Sequence, residues 1–186
     1  GVRNVGMYRM QKIDARSTFM HWQLHKDGRA DLRAAPDGRI PVAVAIGLDP
    51  VTAYSASAPL PKHVGELMLA GFLKGSPVQL VQCKTVDLQV PANAEIGLEG
   101  WVARDDVGIE GPFGDHTGFY TPPEEFPIFR ISAITMRRDA IYPSIVVGKP
   151  PAEDEWLAKA TERIFLPAIR MSVPELVDYD LPTAGT

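Results

Sequence analysis

The feature that most limits the fold of this chain is its content of proline and glycine. Of 186 residues, 17 are proline and 16 are glycine, about 18% together against roughly 12% in an average protein. Proline removes a backbone hydrogen-bond donor, and glycine raises the entropic cost of regular structure, so both interrupt long helices. The sequence therefore predicts many short strands that are joined by tight turns.

Length and composition narrow the class of protein further. A chain of 186 residues corresponds to one domain and is long enough to bury a core. Hydrophobic residues make up 45% and charged residues 23% of the sequence, which excludes disorder as the main state. The single cysteine, Cys83, excludes a disulfide-stapled scaffold, and we expect it to be a buried, inert thiol.

Charge and hydropathy exclude two classes of partner. The formal net charge is −4, from 19 basic and 23 acidic residues, so no basic field is available to hold a nucleic-acid backbone. The longest apolar runs, such as residues 41–48, are too short to span a bilayer. The sequence opens without the basic and apolar regions of a signal segment, and we expect a cytoplasmic location.

Hydrophobic periodicity predicts an α+β fold. Apolar residues recur at helical spacing over residues 62–74, where Gly75 follows the last turn, and again over residues 153–171, where Pro167 should kink or shorten the helix. The strands should form a mostly antiparallel sheet that closes as a barrel, with one helix inserted and one at the C-terminus. The predicted strands cover residues 5–12, 17–25, 39–48, 78–84, 88–90, 95–104, 128–137 and 142–147.

The most informative loop has the sequence Glu110-Gly-Pro-Phe-Gly-Asp-His116. Two glycines and a proline make a rigid turn, which can aim the carboxylates of Glu110 and Asp115 into one pocket. Two carboxylates that share a desolvated site push their pKa values apart, so one can donate a proton while the other acts as a base. The alternative is a surface turn with two solvated acids, and composition alone favours it.

Other polar residues near the start of the chain could bind ligands. Asn4 offers an amide oxygen and Arg9 a planar fork that suits a carboxylate or phosphate, although an amphipathic strand with one exposed arginine has the same pattern. His21 and His25 are four residues apart, which in a strand means about 13 Å. A zinc site on both histidines is therefore disfavoured, but one of them could bind manganese or magnesium together with an amide and a carboxylate.

Several common motifs are missing from the sequence. It contains no Walker loop and no GxGxxG, GxSxG or CxxC motif, which removes the commonest nucleotide-binding, hydrolase and redox-pair interpretations.

Taken alone, Glu66 is a solvated acid on the first predicted helix.

Taken in order, seven segments of the chain resemble the UbiD family of prenylated-flavin-dependent decarboxylases. The resemblance extends from Asn4 to about Asp178. The matching segments are Asn4-Val-Gly-Met-Tyr-Arg-Met-Gln11, Met20-His-Trp-Gln-Leu-His25, Pro41-Val-Ala-Val-Ala-Ile-Gly47, Ser57-Ala-Pro-Leu-Pro61 with Glu66, Val90-Pro-Ala-Asn-Ala-Glu-Ile-Gly-Leu-Glu-Gly100, Glu110-Gly-Pro-Phe-Gly-Asp115, and Asp139-Ala-Ile-Tyr142 with Val147-Gly-Lys-Pro-Pro151.

The resemblance implies a fold and a domain organisation. The chain would be the central domain of the family, a flavin-reductase-like split β-barrel that binds prenylated FMN. This core would span residues 1–178, and residues 179–186 would be a loose tail. Members of the family are longer, with an N-terminal region and a C-terminal oligomerisation domain, and we expect neither of these in this chain. Because the family has an oligomerisation domain, we expect a homo-oligomer in the full-length form.

The resemblance also implies residues for the cofactor and its metals. In this family an asparagine, a histidine and a glutamate bind Mn²⁺ beside the cofactor phosphate, often next to K⁺. By position these ligands are Asn4, His25 and Glu66. The remaining cofactor contacts would come from Gly6, Met7, Tyr8, Arg9, Trp22, Ser57 and Pro59.

The activity that the resemblance implies is the reversible, non-oxidative decarboxylation of an aromatic or α,β-unsaturated carboxylic acid. Loss of CO₂ leaves a carbanion, for which the modified flavin is the electron sink. Arg9 would orient the substrate carboxylate, Glu110 would deliver the proton that replaces CO₂, and Asp115 would complete the charge network. A flavin prenyltransferase would supply the cofactor. The alternatives are a non-catalytic core that binds flavin and metal, and a reductase-like barrel that uses plain FMN.

Overall fold

The computed structural model describes residues 3–61 and 64–182. Within these ranges the chain forms four helices and nine strands. The helices are α1 (Asp27–Ala34), α2 (Pro50–Ser55), α3 (Glu66–Lys74) and α4 (Glu153–Ser172). The strands are β1 (Met10–Lys12), β2 (Ser17–Met20), β3 (Arg39–Ile46), β4 (Leu80–Gln82), β5 (Gln89–Pro91), β6 (Ile96–Glu110), β7 (Phe113–Gly114), β8 (Tyr120–Thr121) and β9 (Glu124–Met136).

The strands form one large sheet and two small ribbons, which confirms the α+β class and the antiparallel sheet. The large sheet has the order β1-β2-β9-β6-β3, and β4–β5 and β7–β8 pair separately. All of these pairs are antiparallel. No closed barrel is found in the described part of the chain, because β1 and β3 lie at opposite edges of the sheet. The split barrel therefore stays a prediction.

Strands β6 and β9 are the spine of the sheet, with 15 and 13 residues. Their register shifts between Glu99 and Gly100 and again between Val102 and Val107. Such bulges bend and twist a strand pair. At the first shift a Cβ on Gly100 would overlap the carbonyl oxygen of Arg130, so only glycine allows this close approach of the two backbones.

The core lies where α1 covers the sheet. Its buried cluster comprises Met20, Trp22, Leu32, Val102 and Phe129, all at most 4% exposed. Burying each of these side chains stabilises the fold by about 1.5–3 kcal/mol. The cluster includes Met20, the last residue of β2, and Trp22, two residues further on. The core therefore fixes the C-terminal end of β2, next to the site described below.

The helix predictions are confirmed with two additions. Helix α3 ends at Gly75, which has φ 66° in the left-handed region, where glycine is preferred. Of the predicted first residues of this helix, Lys62 and His63 lie outside the described residues, while Val64 and Gly65 precede the helix, so its predicted start is too early. Helix α4 runs through Pro167 to Ser172, so this proline does not shorten it. Helices α1 and α2 were not predicted.

The predicted strand over residues 142–147 is wrong. These residues have no regular secondary structure, because no described strand lies beside them to accept their backbone hydrogen bonds. No helix in the described ranges is long and apolar enough to cross a lipid bilayer.

Candidate active site

The first hairpin of the sheet brings Arg9 opposite His21. Met10 pairs with Met20 in the β1–β2 register, and the next pair outward is formed by Arg9 and His21, whose backbone N–H donates to the Arg9 carbonyl oxygen at 3.1 Å. Directly opposed residues of an antiparallel pair carry their side chains on the same face. The hairpin therefore places a guanidinium and an imidazole side by side.

The long strand pair adds a carboxylate to this face. Glu110 is the last residue of β6, and Phe126 of β9 pairs with Gly108, two residues before it. The His21 ring packs on Phe126 with 4.2 Å between ring centroids. Arg9 just before β1, His21 just after β2 and Glu110 at the end of β6 therefore bring their side chains together, with β9 lying between β2 and β6 in the sheet.

Glu110 is the centre of the group. Its side chain is only 2% exposed, whereas those of Arg9 and His21 are 22% and 18% exposed. Arg9 donates from Nε to Oε1 at 3.3 Å and from Nη2 to Oε2 at 2.6 Å. The His21 Nδ1 atom lies 2.8 Å from the same Oε2. A buried carboxyl group is thus held by a two-point arginine contact and an imidazole.

Neighbouring residues shield and position this group. The Arg9 guanidinium lies 4.2 Å from the centre of the Phe113 ring, a cation–π arrangement. The backbone N–H of Gly111 donates to Oε1 of Gln11 at 2.9 Å, which ties the loop after Glu110 to strand β1. Apolar rings around the ion pair exclude water and strengthen its electrostatic interactions.

Asp115, the second predicted acid, lies in a turn of its own. Its carboxylate is bonded to His116 Nδ1 at 3.0 Å and accepts from Thr117 Oγ1 at 3.2 Å. Burial would raise the pKa of Asp115, but the charge of His116 and the hydrogen bonds from His116 and Thr117 outweigh it and lower that pKa below its ordinary value. None of its contacts within the described residues reaches Arg9 or Glu110, so its place in the network stays a prediction.

Two of the three predicted metal ligands belong to one neighbourhood. Glu66, at the start of α3, accepts from the backbone N–H of Val5 at 3.2 Å, and Asn4 donates from Nδ2 to Asp31 at 3.1 Å. His25 is exposed in the turn before α1. The described residues contain no group of three or more His, Cys, Asp and Glu that could hold a metal. The predicted set has only one histidine and one glutamate beside its asparagine, so this absence does not test it and it stays a prediction.

The predicted cofactor-lining residues include an aromatic pair. The rings of Tyr8 and Trp22 meet edge to face with 5.9 Å between centroids. Burial raises the pKa of the Tyr8 hydroxyl, although its hydrogen bond from the Gly28 backbone opposes this change. Trp22 is 4% exposed, and its Nε1 is a buried donor without an acceptor in the described part of the chain.

The other predicted lining residues are more open. Met7 is 60% exposed, and Ser57 and Pro59 are exposed beyond the end of α2. Ser57 Oγ donates to the carbonyl oxygen of Tyr54 at 2.8 Å, a local turn contact. A Cβ on Gly6 would lie 2.5 Å from the Tyr8 ring, so a side chain at this position would displace the aromatic pair.

His21 is the functional candidate that sequence reasoning missed. The residue pattern made His21 a candidate metal ligand, either with His25 or with an amide and a carboxylate, and no motif linked it to the acidic loop. The signal that could have found it is the register of the first hairpin, since Arg9 and His21 are one step beyond the pair Met10–Met20.

Comparisons with known sequences identify relatives over the whole chain. The model of the UbiD family, described as the 3-octaprenyl-4-hydroxybenzoate carboxy-lyase Rift-related domain, matches residues 1–150. Uncharacterized proteins of Archaeoglobus fulgidus and Aquifex aeolicus are 57% and 51% identical over 188 residues. Each alignment covers 100% of this chain and 39% of the relative. The chain thus spans about two fifths of the length of these curated relatives.

Solved structures agree with this assignment. The UbiD-class enzyme HmfF from Pelotomaculum thermopropionicum, in complex with prFMN, matches with a TM-score of 0.82 and 30% identity, over 99% of this chain and 43% of that one. Vanillic acid decarboxylase from Sedimentibacter hydroxybenzoicus, in its closed form, has a TM-score of 0.87 and 29% identity, over 97% of this chain and 39% of that one. A family model that accounts for 150 of 186 residues, together with these folds, shows that the chain belongs to the UbiD family.

Proposed function

We propose that this chain is the flavin-binding core of a carboxy-lyase that exchanges the carboxylate of an aromatic or α,β-unsaturated acid for a proton. The observation that carries the proposal is the pair formed by Arg9 and Glu110, in which a carboxyl group only 2% exposed faces both Nε and Nη2 of the guanidinium. Membership of the UbiD family supports the reaction class. The solved decarboxylase of Sedimentibacter hydroxybenzoicus supports it as well.

The residues of the pair have complementary roles in this proposal. Glu110 holds the proton that replaces CO₂ on the substrate carbon, since it is the buried acid of the site. Arg9 uses Nε and Nη2 for Glu110, while its Nη1 makes no hydrogen bond to the described residues and can bind the substrate carboxylate. When bound, prenylated FMN supplies the electron sink for the carbanion.

Asp115 is proposed as a supporting charge rather than as the proton donor. Its pKa lies below its ordinary value, so it is ionised at neutral pH, which suits a residue that completes the charge network of Arg9 and Glu110. It follows Glu110 by five residues, so small movements of the intervening turn change its distance from the pair.

The donor atoms of the predicted ligand residues suit a flavin phosphate and a divalent metal. The unpaired Nε1 donor of buried Trp22 suits an acceptor atom of a ligand, and Trp22 contacts Tyr8 of the same N-terminal segment. Asn4, His25 and Glu66 offer the oxygen and nitrogen donors that Mn²⁺ accepts. We propose that these three residues hold Mn²⁺, that K⁺ binds nearby, and that prenylated FMN is the flavin. The HmfF structures with prFMN and with FMN support a flavin ligand.

The partners follow from this assignment. The protein would act on a small carboxylic acid, release or fix CO₂, and receive its flavin from a flavin prenyltransferase. Residues 1–178 would form the cofactor-binding core, in a homo-oligomer in the cytoplasm. These statements concern the whole protein. The chain itself spans 39% of the length of the two curated relatives.

The first experiment is mass spectrometry of the ligand released from the purified holoprotein, with metal analysis of the same sample. We expect prenylated FMN and manganese. Plain FMN without manganese, combined with NAD(P)H oxidation, would instead indicate a reductase-like barrel. Prenylated FMN without CO₂ release from cinnamic, 4-hydroxybenzoic or 2-furoic acid would indicate a core that binds the cofactor but does not catalyse the reaction on these acids.

The second experiment is the substitution Glu110→Gln in the holoenzyme. Glutamine keeps the shape of the side chain but cannot donate a carboxylic proton, so we expect the rate of CO₂ release to fall by about 10²- to 10⁴-fold. The flavin content, measured by absorbance, should be unchanged. Asp105→Asn, at an exposed acid of the same strand, is the control. Full activity of Glu110→Gln would contradict the proposed proton donor.

A further inference from the structure

Arg9 makes one contact more than its pairing with Glu110 requires. Its Nη2 atom lies 2.6 Å from Glu110 Oε2 and 2.7 Å from His21 Nδ1. This guanidinium nitrogen carries two hydrogens and can only donate. One hydrogen therefore goes to the carboxyl oxygen and the other to the imidazole, so Nδ1 accepts and has no proton of its own.

This contact fixes the state of the His21 ring. An imidazole that accepts at Nδ1 is neutral and carries its proton at Nε2. The His21 side chain is 18% exposed. Within the described contacts, the charged groups that face the ring are Arg9, beside β1, and Glu110, at the end of β6, while β9 contributes the apolar ring of Phe126. A change in the charge of His21 would therefore act on Arg9 and Glu110.

The neutral ring leaves Arg9 with one free nitrogen. Nε and Nη2 donate to Glu110 and His21, and the ring of Phe113 covers the guanidinium at 4.2 Å. The remaining atom, Nη1, is the one proposed above for the substrate carboxylate. If residue 21 offered no acceptor, Nη2 would keep a second hydrogen for water or for the substrate, and the guanidinium could turn.

A proton on Nδ1 would reverse the contact. The Nδ1–H group would donate to Glu110 Oε2, which lies 2.8 Å away, and could no longer accept from Arg9. Two positive charges would then face each other where Nη2 and Nδ1 are now 2.7 Å apart, and like charges at this distance repel strongly. Arg9 would have to move away from the imidazolium and would lose its orientation.

We infer that His21 is a positioning residue whose neutral ring fixes the Arg9 guanidinium for the substrate carboxylate and whose protonated ring releases it. The inference rests on the proposed function, from which it takes the role of Arg9 in binding the substrate. It does not depend on which acid supplies the proton that replaces CO₂. It predicts that substrate binding follows the hydrogen-bond acceptor at residue 21 and weakens in acid.

The test is a reciprocal pair of variants in the full-length holoenzyme. His21→Asn loses the ring but offers Oδ1 close to the former place of Nδ1, and this acceptor does not titrate. His21→Phe keeps a ring that can pack on Phe126 but has no acceptor. The probe is the acid that the parent protein turns over fastest among cinnamic, 4-hydroxybenzoic and 2-furoic acid. Circular dichroism and flavin absorbance establish that each variant is folded and loaded.

We expect an effect on KM that follows the acceptor and exceeds the effect on kcat. At about pH 8, where most imidazoles are neutral, the KM of His21→Phe should be about 10-fold above that of the parent protein, because a hydrogen bond to a charged group is lost. The KM of His21→Asn should stay close to the parent value. Equal KM values for His21→Phe and the parent protein would overturn the inference.

The pH profile separates positioning from packing. As pH falls from about 8 to about 5, the range in which imidazoles change charge, the KM of the parent protein should rise about 10-fold. The KM of His21→Asn should rise much less. Protonation of the acid itself affects both proteins equally, so the difference between them belongs to His21. Parallel profiles for the two proteins would assign His21 a structural role and overturn the inference.

A measurement without turnover completes the test. In solid-state ¹⁵N spectra of holoenzyme with labelled histidine, the His21 signals are identified by their loss in His21→Asn. At about pH 8 we expect an unprotonated Nδ1 and a protonated Nε2. A proton on Nδ1 at this pH would overturn the inference. If the parent protein turns over none of the three acids, the proposed function fails, and this result is distinct from a wrong tautomer at His21.

Discussion

Strand β6 carries two buried glutamates that are held in opposite ways. Glu110, at its end, is 2% exposed and contacts the side chains of Arg9 and His21. Glu99, eleven residues earlier, is 4% exposed and accepts from the backbone N–H groups of Lys84 and Thr85 and from the Thr85 hydroxyl. One carboxyl group is thus held by side chains and the other almost entirely by backbone.

Under the proposed function, this difference separates a reactive acid, Glu110, from a structural one, Glu99. Backbone amides can only donate, so they favour the ionised carboxylate at Glu99 and give it no proton to exchange. An imidazole can take up or release a proton, so the contacts of Glu110 can change with pH. In the proposed function, two residues of the same type and similar burial therefore serve chemistry at one end of the strand and hold the turn of residues 83–88 at the other.

Beyond the substitution of Glu110 itself, the largest effect that tests this end of β6 is expected for Arg9→Lys. Lysine keeps the charge but offers one ammonium group instead of the two-point fork. Loss of one charge-assisted hydrogen bond to Glu110 should lower kcat/KM for the best panel acid roughly 10- to 100-fold. Arg39→Lys, where the guanidinium lies over Trp101 away from this site, is the matched control. If Arg9→Lys is as active as the parent protein, the two-point contact with Glu110 has no role in the reaction. The proposed contrast between Glu110 and Glu99 would then fail.

The corresponding change at the structural end is Glu99→Gln. The amide group of glutamine cannot accept all the hydrogen bonds from Lys84 and Thr85, so the free energy of unfolding should fall by about 1–3 kcal/mol. Urea denaturation measures this loss, with Asp105→Asn as the control on the same strand. We expect kcat of the folded Glu99→Gln variant to stay close to that of the parent protein. A large loss of kcat at full folding would contradict a purely structural role.

The pH dependence of stability should sharpen the contrast. Burial would raise the pKa of Glu99, but hydrogen bonds from the backbone of Lys84 and Thr85 outweigh it and lower that pKa below its ordinary value of 4.5. The unfolded chain therefore takes up a proton at higher pH than the folded one. The stabilisation is present above about pH 4.5 and is lost as pH falls through the lower folded pKa. Acid unfolding curves should be steeper for the parent protein than for Glu99→Gln.

The smallest expected effect is that of Thr85→Val. This change removes the hydroxyl that donates to Glu99 Oε2 at 2.9 Å but keeps the backbone donor. The free energy of unfolding should fall by about 0.5–1.5 kcal/mol, less than for Glu99→Gln. A loss equal to that of Glu99→Gln in urea denaturation would mean that the hydroxyl, and not the backbone, holds the carboxylate.

The sequence predicted those elements that have a long and regular apolar pattern. Strand β3 and helix α4 agree closely with their predicted ranges, and Gly75 ends α3 as expected. Helices α1 and α2 have only eight and six residues, too few to show a period. The apolar run at 142–147 resembles a strand, but a strand also needs a partner, and the identity of a partner is a property of the whole sheet.

The candidate site was predictable in part, for a related reason. The acidic loop indicated Glu110, and the family resemblance linked it to Arg9, 101 residues earlier. His21 was missed because its role depends on which residue lies across the hairpin, and the sequence around it does not specify that register. The metal ligands and Asp115 remain predictions that rest on the resemblance.

The geometry of the candidate site also depends on the correct register of the first hairpin. Arg9 and His21 occupy one opposed position beyond Met10 and Met20, and successive residues of a strand point to opposite faces. A slip of β1 by one residue would turn Arg9 away from Glu110 while most backbone pairing in the sheet survived. If Arg9 and Glu110 act as proposed, polypeptides with a misregistered edge would be folded by most optical criteria yet inactive. Specific activity would then report the fidelity of edge-strand pairing more sharply than a global measure of folding.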